Sequence, residues 1–143
     1  MKKIWVFDNC SFKFSQMIIN HWREKGHDVR QEMGSNPQAC DSDLIYIDWL
    51  DQNFYYFYNG PEGNRSQPSY PKKRIAVRMI DIDYFQGRHT DPEIWKYLDD
   101  MIVISKFIYD KVVEETAPYS NGKLHLIKPG VDLEKFTIRY KRK

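Results

Sequence analysis

Short apolar runs in this chain end, one after another, on side chains that can do chemistry. Lys3-Ile4-Trp5-Val6-Phe7 stops at Asp8-Asn9, Leu44-Ile45-Tyr46-Ile47 at Asp48-Trp49, and the run from Arg74 to Ile80 at Asp81 and Asp83. Two later runs end at Ser105-Lys106 and at Lys128. Carboxylates so placed can hold the hydroxyls of a polar ligand or contribute to a Mg²⁺ site. Asp and Ser at such junctions also serve simply as helix caps, and that reading stays open for Asp8 and Ser105. Asp81 and Asp83 are expected to open a loop that is not immediately helical, which favours a ligand role for them.

Other chemistries lack their residues. No GxGxxG follows the first apolar run, no GxxxxGK[ST] occurs, and there is no GxSxG elbow. A dinucleotide-dependent dehydrogenase, a P-loop NTPase and a Ser-His-Asp hydrolase are disfavoured accordingly. Cys10 and Cys40 lack CxxC spacing and are expected to be reduced thiols. The four histidines show no metal-ligand spacing, so neither metal nor cofactor is expected. His89 reads as a surface-loop residue.

These side chains need a scaffold, and the pattern supplies one. Residues 12–25 repeat apolar side chains at helical spacing (Phe14, Ile18 and Trp22, widened by Met17 and Ile19), and Gly26 ends the helix. Residues 28–33 form a weaker, more polar strand that belongs toward a sheet edge. Residues 53–58 are strongly aromatic and are read as a short helix, and residues 59–73 as a long functional or disordered loop. Asp91 is placed as an N-cap with Pro92 at N1, ahead of a short helix burying Ile94, Trp95 and Leu98. Ser105 caps a helix over 106–116 that buries Phe107, Ile108, Val112 and Val113. A turn at 119–122 leads to the last strand. Alternating strands and helices in this order imply a parallel sheet covered on both faces, with about six strands. The expected fold is a Rossmann-like, doubly wound α/β domain.

Composition agrees. With 15% aromatic residues among 143, the chain is too rich in packing groups to be disordered throughout. No apolar run approaches the roughly 18 residues that span a bilayer, and the N-terminal run stops too early for a signal peptide. The expected location is the cytoplasm. A net charge of +2 gives no nucleic-acid footprint. The basic residues Arg139, Lys141, Arg142 and Lys143 read as a solvated tail rather than a phosphate contact, and a peripheral membrane contact stays open as an expectation.

From Met101 onward the chain carries a strand, Ser105-Lys106-Phe107, a helix, a turn and then Lys-Leu-His-Leu-Ile-Lys-Pro-Gly-Val-Asp-Leu-Glu-Lys-Phe. This resembles the end of the N-terminal domain of GT-B glycosyltransferases of the retaining, glycogen-synthase-like type, where a strand ending "xxSxF" precedes a helix and "KIxVIPNGVDxxxF". The matching residues are Ser105, Phe107, Lys123, Ile127, Pro129, Gly130, Val131, Asp132 and Phe136. Ala76 to Ile80, followed by Asp83 and Phe85, is similar to the "VVRLHxxE" segment of some members. Ile80 stands where the family often has a histidine, and Asp8-Asn9-Cys10-Ser11 replaces its glycine-rich first loop.

The resemblance implies the N-terminal half of a GT-B fold: residues 1–130 as the acceptor-side domain, and 131–143 as an interdomain crossing stub with a basic tail. It implies an inactive half of a hexosyltransferase, whose nucleotide sugar is gripped by a C-terminal domain these residues lack. Asp8, Asn9, Asp48, Arg78, Asp81 and Asp83 would then hold hydroxyls of a carbohydrate or lipid-linked acceptor, with Trp49 or Tyr84 stacking on a sugar ring. Ser105, Pro129, Gly130, Asp132 and Phe136 would shape the interdomain crossing. The competing expectation is a non-enzymatic α/β binding module, with the aromatic stretch from Phe54 to Tyr58 and the basic tail as contact surfaces, or a response-regulator-like domain using the strand-end carboxylates.

Overall fold

The computed structural model describes residues 1–11, 15–34, 36–51, 53–55 and 74–128. Within them run β1 (Lys3–Asp8), α1 (Gln16–Glu24), β2 (Asp28–Glu32), a 3-10 turn (Pro37–Asp41), β3 (Leu44–Asp48) and β4 (Arg74–Met79). There follow α2 (Asp81–Phe85), a second 3-10 turn (Arg88–Thr90), α3 (Ile94–Tyr97), β5 (Asp100–Val103), α4 (Lys106–Thr116) and β6 (Leu124–Leu126). Residues 53–55 are helical, as expected for the start of the aromatic stretch. Residues 56–58, the 59–73 loop, Phe14, Pro129, Gly130, Asp132, Phe136 and the basic tail lie outside the described residues.

All six strands are parallel, in the order β2-β1-β3-β4-β5-β6. The chain goes outward from β1 to the edge strand β2, returns to β3 on the other side of β1, and then proceeds one way to β6. This is a Rossmann-like, doubly wound α/β sheet. Its strand order reverses between β1 and β3, so the switch point falls at their carboxyl ends.

Strand alternation sends neighbouring residues to opposite faces. Trp5, Phe7, Ile45, Ile47, Val77, Met79, Met101 and Val103 pack with Trp95 of α3 and with Ile108 and Val112 of α4. Ile4, Val6, Val29, Tyr46 and Ala76 pack on the other face with Ile19 and Trp22 of α1. Each wholly buried aliphatic or aromatic side chain is worth about 1.5–3 kcal/mol. Gly26 takes φ +80° just beyond α1, the left-handed stop that its position predicted.

Three local expectations are corrected. Phe107 is 61% exposed and Val113 also faces out, because α4 turns Ile108, Val112 and Thr116 inward at four-residue spacing. Met17 is exposed because the buried line of α1 runs through Ser15 and Ile19, with Met17 about 200° around the helix from each. Asp81 and Asp83 do not open a loop; they form the first turn of α2, where carboxylates suit the helix dipole. Asp91 does act as a cap ahead of α3, as expected: it is extended, its Oδ1 accepts the Glu93 N–H at 2.9 Å and its carbonyl accepts the Ile94 N–H at 3.2 Å, while Glu93 is already in helical geometry.

Ser105 does cap α4, its Oγ accepting the Ile108 N–H at 3.5 Å. Ser105→Ala is expected to lower stability by about 0.5–1 kcal/mol, near the bottom of the range for caps because this bond is long. Urea unfolding measures it, and an unchanged midpoint would mean that the cap contributes nothing.

Candidate functional site

The switch point is polar and buried. Parallel register aligns Asp8 of β1 with Asp48 of β3, and Asp48 with Arg78 of β4. All three follow Ile4 and Val6, Tyr46, or Ala76 at even spacing, so they share the α1 face. Both carboxylates are fully buried. Arg78 places its guanidinium fork on Asp48, Nε to Oδ1 and Nη2 to Oδ2. Asp8 Oδ1 accepts the Cys10 N–H at 2.6 Å, and its Oδ2 accepts the Ser15 hydroxyl at 2.7 Å. Asp8 thereby fixes both the exit turn of β1 and the entry to α1.

Beside this row, the exits of β1 and β3 are cross-tied. The Asn9 side-chain amide donates to Asp51, whose other oxygen accepts the Asn53 N–H at 2.8 Å. Trp49, the first residue after β3, has φ +94°, a conformation that a bulky residue rarely adopts and that costs about 1–3 kcal/mol. Its N–H continues the ladder to the Arg78 carbonyl at 2.9 Å, and its indole Nε1 is buried with no hydrogen-bond partner. An indole donor held so, next to a row of carboxylates, is a feature that a polar ligand would satisfy.

Asp83 and Tyr84 belong to supporting structure. Asp83 Oδ2 accepts the N–H groups of Leu50 and Ile80, both at 3.2 Å, and Oδ1 faces Arg88, which also donates to the Leu50 carbonyl. Asp83 and Arg88 therefore staple the β3 exit to α2 through Leu50, the residue that follows Trp49. Tyr84 stacks on His89 with centroids 4.8 Å apart and donates to Glu115 Oε1 at 2.9 Å. Asp81 is exposed and joins none of these groups. Of the expected contact residues, Asp8, Asp48 and Arg78 form one cluster with Asn9 and Trp49 at its edge.

His89 corrects its expectation as a surface residue. It is 1% exposed, and its Nε2–H donates to Glu115 Oε2 at 2.6 Å, while its carbonyl accepts the Trp95 indole N–H at 2.8 Å. Sequence reading missed Asp51, Arg88 and Glu115, whose partners are remote in the chain. Only Asp51 carried a local signal, two residues past Trp49 and two before Asn53. A groove of about 540 Å³ lies elsewhere, at the amino ends of the strands on the α1 face, with Ile4, Leu44, Ala76 and Ile102 in its lining. Apolar lining and distance from the polar row set it apart from the switch point.

Burial pushes the Asp48 carboxyl up from 3.8 to about 6; Arg78 pulls it down and Asp8 adds to the rise. Burial also works against the charge of Arg78, yet its bonds to Asp48 hold its pKa above the ordinary value. Asp51 is raised chiefly by burial. The sign for stability follows. Between about pH 4 and pH 6 the folded protein keeps a proton on Asp48 that the unfolded chain has released, so stability falls as pH rises through that window. The full contribution is about 3 kcal/mol. Asp100, held low by Arg74, and Glu115, held low by His89, act oppositely, and their contributions are lost only as pH falls through their own lower values. Urea unfolding of native protein and Asp48→Asn across pH 4.5–7.5 is expected to show the downward slope in the native protein alone. Parallel profiles would contradict it.

Among the described residues no three His, Cys, Asp or Glu side chains are grouped to hold a metal ion. Among the same residues no helix is long and apolar enough to cross a membrane. Cys10 and Cys40 are not joined in a disulfide. The chain matches no family model, no curated protein and no solved structure. Fold and site together define a doubly wound α/β domain with a buried acid–guanidinium row at its switch point.

Proposed function

We propose that the chain is the acceptor-side, N-terminal domain of a GT-B glycosyltransferase of the retaining type, acting in the cytoplasm. The observation that carries the reading is the Asp8–Asp48–Arg78 row at the switch point, flanked by Trp49 with its unpartnered indole N–H. Doubly wound sheets receive ligands at this position, outside the strand ends. Acceptor hydroxyls would be held at the margin of the row by Asn9, Asp51 and the Trp49 indole, and the Trp49 ring would lie against a sugar. Asp8 and Asp48 would keep that margin rigid and negative. The motif after β6, Lys128-Pro129-Gly130-Val131-Asp132, supports a crossing to a second domain outside these residues, which would hold the nucleotide sugar. Closure of two such domains would exclude water, which competes as an acceptor.

The experiment is a thermal-shift panel of nucleotide sugars on the full-length native protein, followed by a transfer assay with whichever stabilises it. At least one nucleotide sugar is expected to raise the melting temperature. If none does, the transferase reading fails. One observation favours a non-enzymatic binding module instead: the oxygens of Asp8 and Asp48 are already engaged by Cys10, Ser15 and Arg78. Stabilisation without transfer to any saccharide or lipid-linked acceptor would support that second reading.

A further inference from the structure

The two faces of the sheet are covered unequally. All-parallel sheets are normally buried on both faces. Here α2, α3 and α4 bring their apolar residues to one face. The described helices give the other only Ile19 and Trp22 of α1. What stays open on that second face is the groove of about 540 Å³, floored by Ile4, Leu44, Ala76 and Ile102 and bounded toward the sheet edge by Ile127. Ile127 is 54% exposed, and Leu44 and Ile102 are only half-buried. The chain leaves the described residues from the wall of this groove: the Ile127 N–H donates to the Val103 carbonyl at 2.9 Å, and Lys128 is the next residue.

We propose that the groove is the docking site of residues 131–141 of this chain, which return over it as an amphipathic helix antiparallel to the strands. Pro129-Gly130, a pair that favours a turn, stands just ahead of that stretch. Within it Leu133, Phe136 and Tyr140 recur at i, i+3 and i+7, the spacing of one helix face, while Val131 and Ile138 fall on the far side. Asp132 and Glu134 at its start and Arg139 and Lys141 at its end suit the helix dipole. As a helix these residues span about 16 Å, close to the roughly 17 Å of a five-residue strand such as β3. A helix that starts beyond β6 and runs back along the sheet therefore reaches the amino ends of the strands. Its basic end arrives where Asp43 and Asp99 present exposed carboxylates. The Arg74 guanidinium at that margin is already bonded to Asp100, at 2.7 and 3.0 Å, and Lys2 is the other cation there. Such a segment would precede a second domain lying beyond these residues, so the inference stands apart from the transferase reading.

The test uses the full-length native protein without sugar or nucleotide, and the nucleotide-sugar thermal shift is read separately, so that the two readings fail independently. Amide exchange and NOEs between aromatic rings and methyl groups are followed. The amides of residues 135–140 are expected to be protected about tenfold or more over an unstructured chain, and the Phe136 ring to show NOEs to the Ile102 and Ile127 methyls. Phe136→Lys is expected to abolish that protection, and Ile102→Lys, on the groove side, to lower it about tenfold. Ile138→Lys, on the far side of the helix, should leave it unchanged. If Ile102→Lys does not fold, the two tail variants and the native NOEs decide. Four results would each overturn the docking: no protection, protection that survives Phe136→Lys or Ile102→Lys, equal losses in Phe136→Lys and Ile138→Lys as alternating strand geometry would give, or NOEs that arise only between a labelled and an unlabelled copy.

Discussion

Arg78→Ala is expected to destabilise the protein by about 3–5 kcal/mol near neutral pH, and by much less near pH 5. The fork of Arg78 is what makes an ionised Asp48 tolerable inside the sheet, since the carboxylate is fully buried and bonded through both oxygens. Without it the charge has no counterion, and the folded state must either hold a proton at neutral pH or come apart. Acid supplies that proton from solution, so most of the penalty disappears below the titration of Asp48, leaving the loss of the side chain's packing. Urea unfolding at the two pH values measures the difference. Equal losses at both would mean that Arg78 acts through packing and that the ion pair contributes nothing to the fold.

The second large effect falls on Asp83. Its removal in Asp83→Ala strips acceptors from the Leu50 and Ile80 N–H groups and a partner from Arg88, with Leu50 wholly buried. Orphaned buried donors cost about 1–3 kcal/mol each, so a loss of about 2–4 kcal/mol is expected. Asp83→Asn keeps a carbonyl oxygen able to accept both N–H groups and surrenders only the charge toward Arg88, so about 1 kcal/mol should be lost. The two variants also separate support from contact. Asp83→Ala should shift Trp49 fluorescence by loosening the β3 exit, whereas Asp83→Asn should leave it near the native value. Equal stability losses would mean that the staple is purely electrostatic.

Local chemistry was legible and remote pairing was not. Short apolar runs ending on polar residues marked the strands other than the polar edge strand β2, and alternation with helical segments implied a parallel, doubly wound sheet. Gly26 and Ser105 marked helix ends because caps act within a few residues. The register row was half visible: Asp8 and Asp48 stood out as strand-terminal carboxylates. That Arg78 neutralises Asp48 across 30 residues, that Asp83 reaches Leu50 across 33, and that His89 meets Glu115 across 26 are facts of packing. No spacing rule reaches that far, and so His89 read as a surface residue although it is a core one. Phe107 misled in the opposite sense, because hydrophobicity alone does not say which way a short helix is rotated when its cap and neighbouring turns set the angle.

The acceptor reading makes a spatial claim that amide and indole chemical-shift mapping can examine directly on the full-length protein. On titration with mono- and oligosaccharides and lipid-linked saccharides, the perturbed signals should centre on Asn9, Trp49 and Asp51, and the Trp49 indole N–H should move most as it gains a partner. Perturbation confined to the apolar groove around Ile4, Leu44 and Ile102, with the Trp49 indole unmoved by any saccharide, would contradict it.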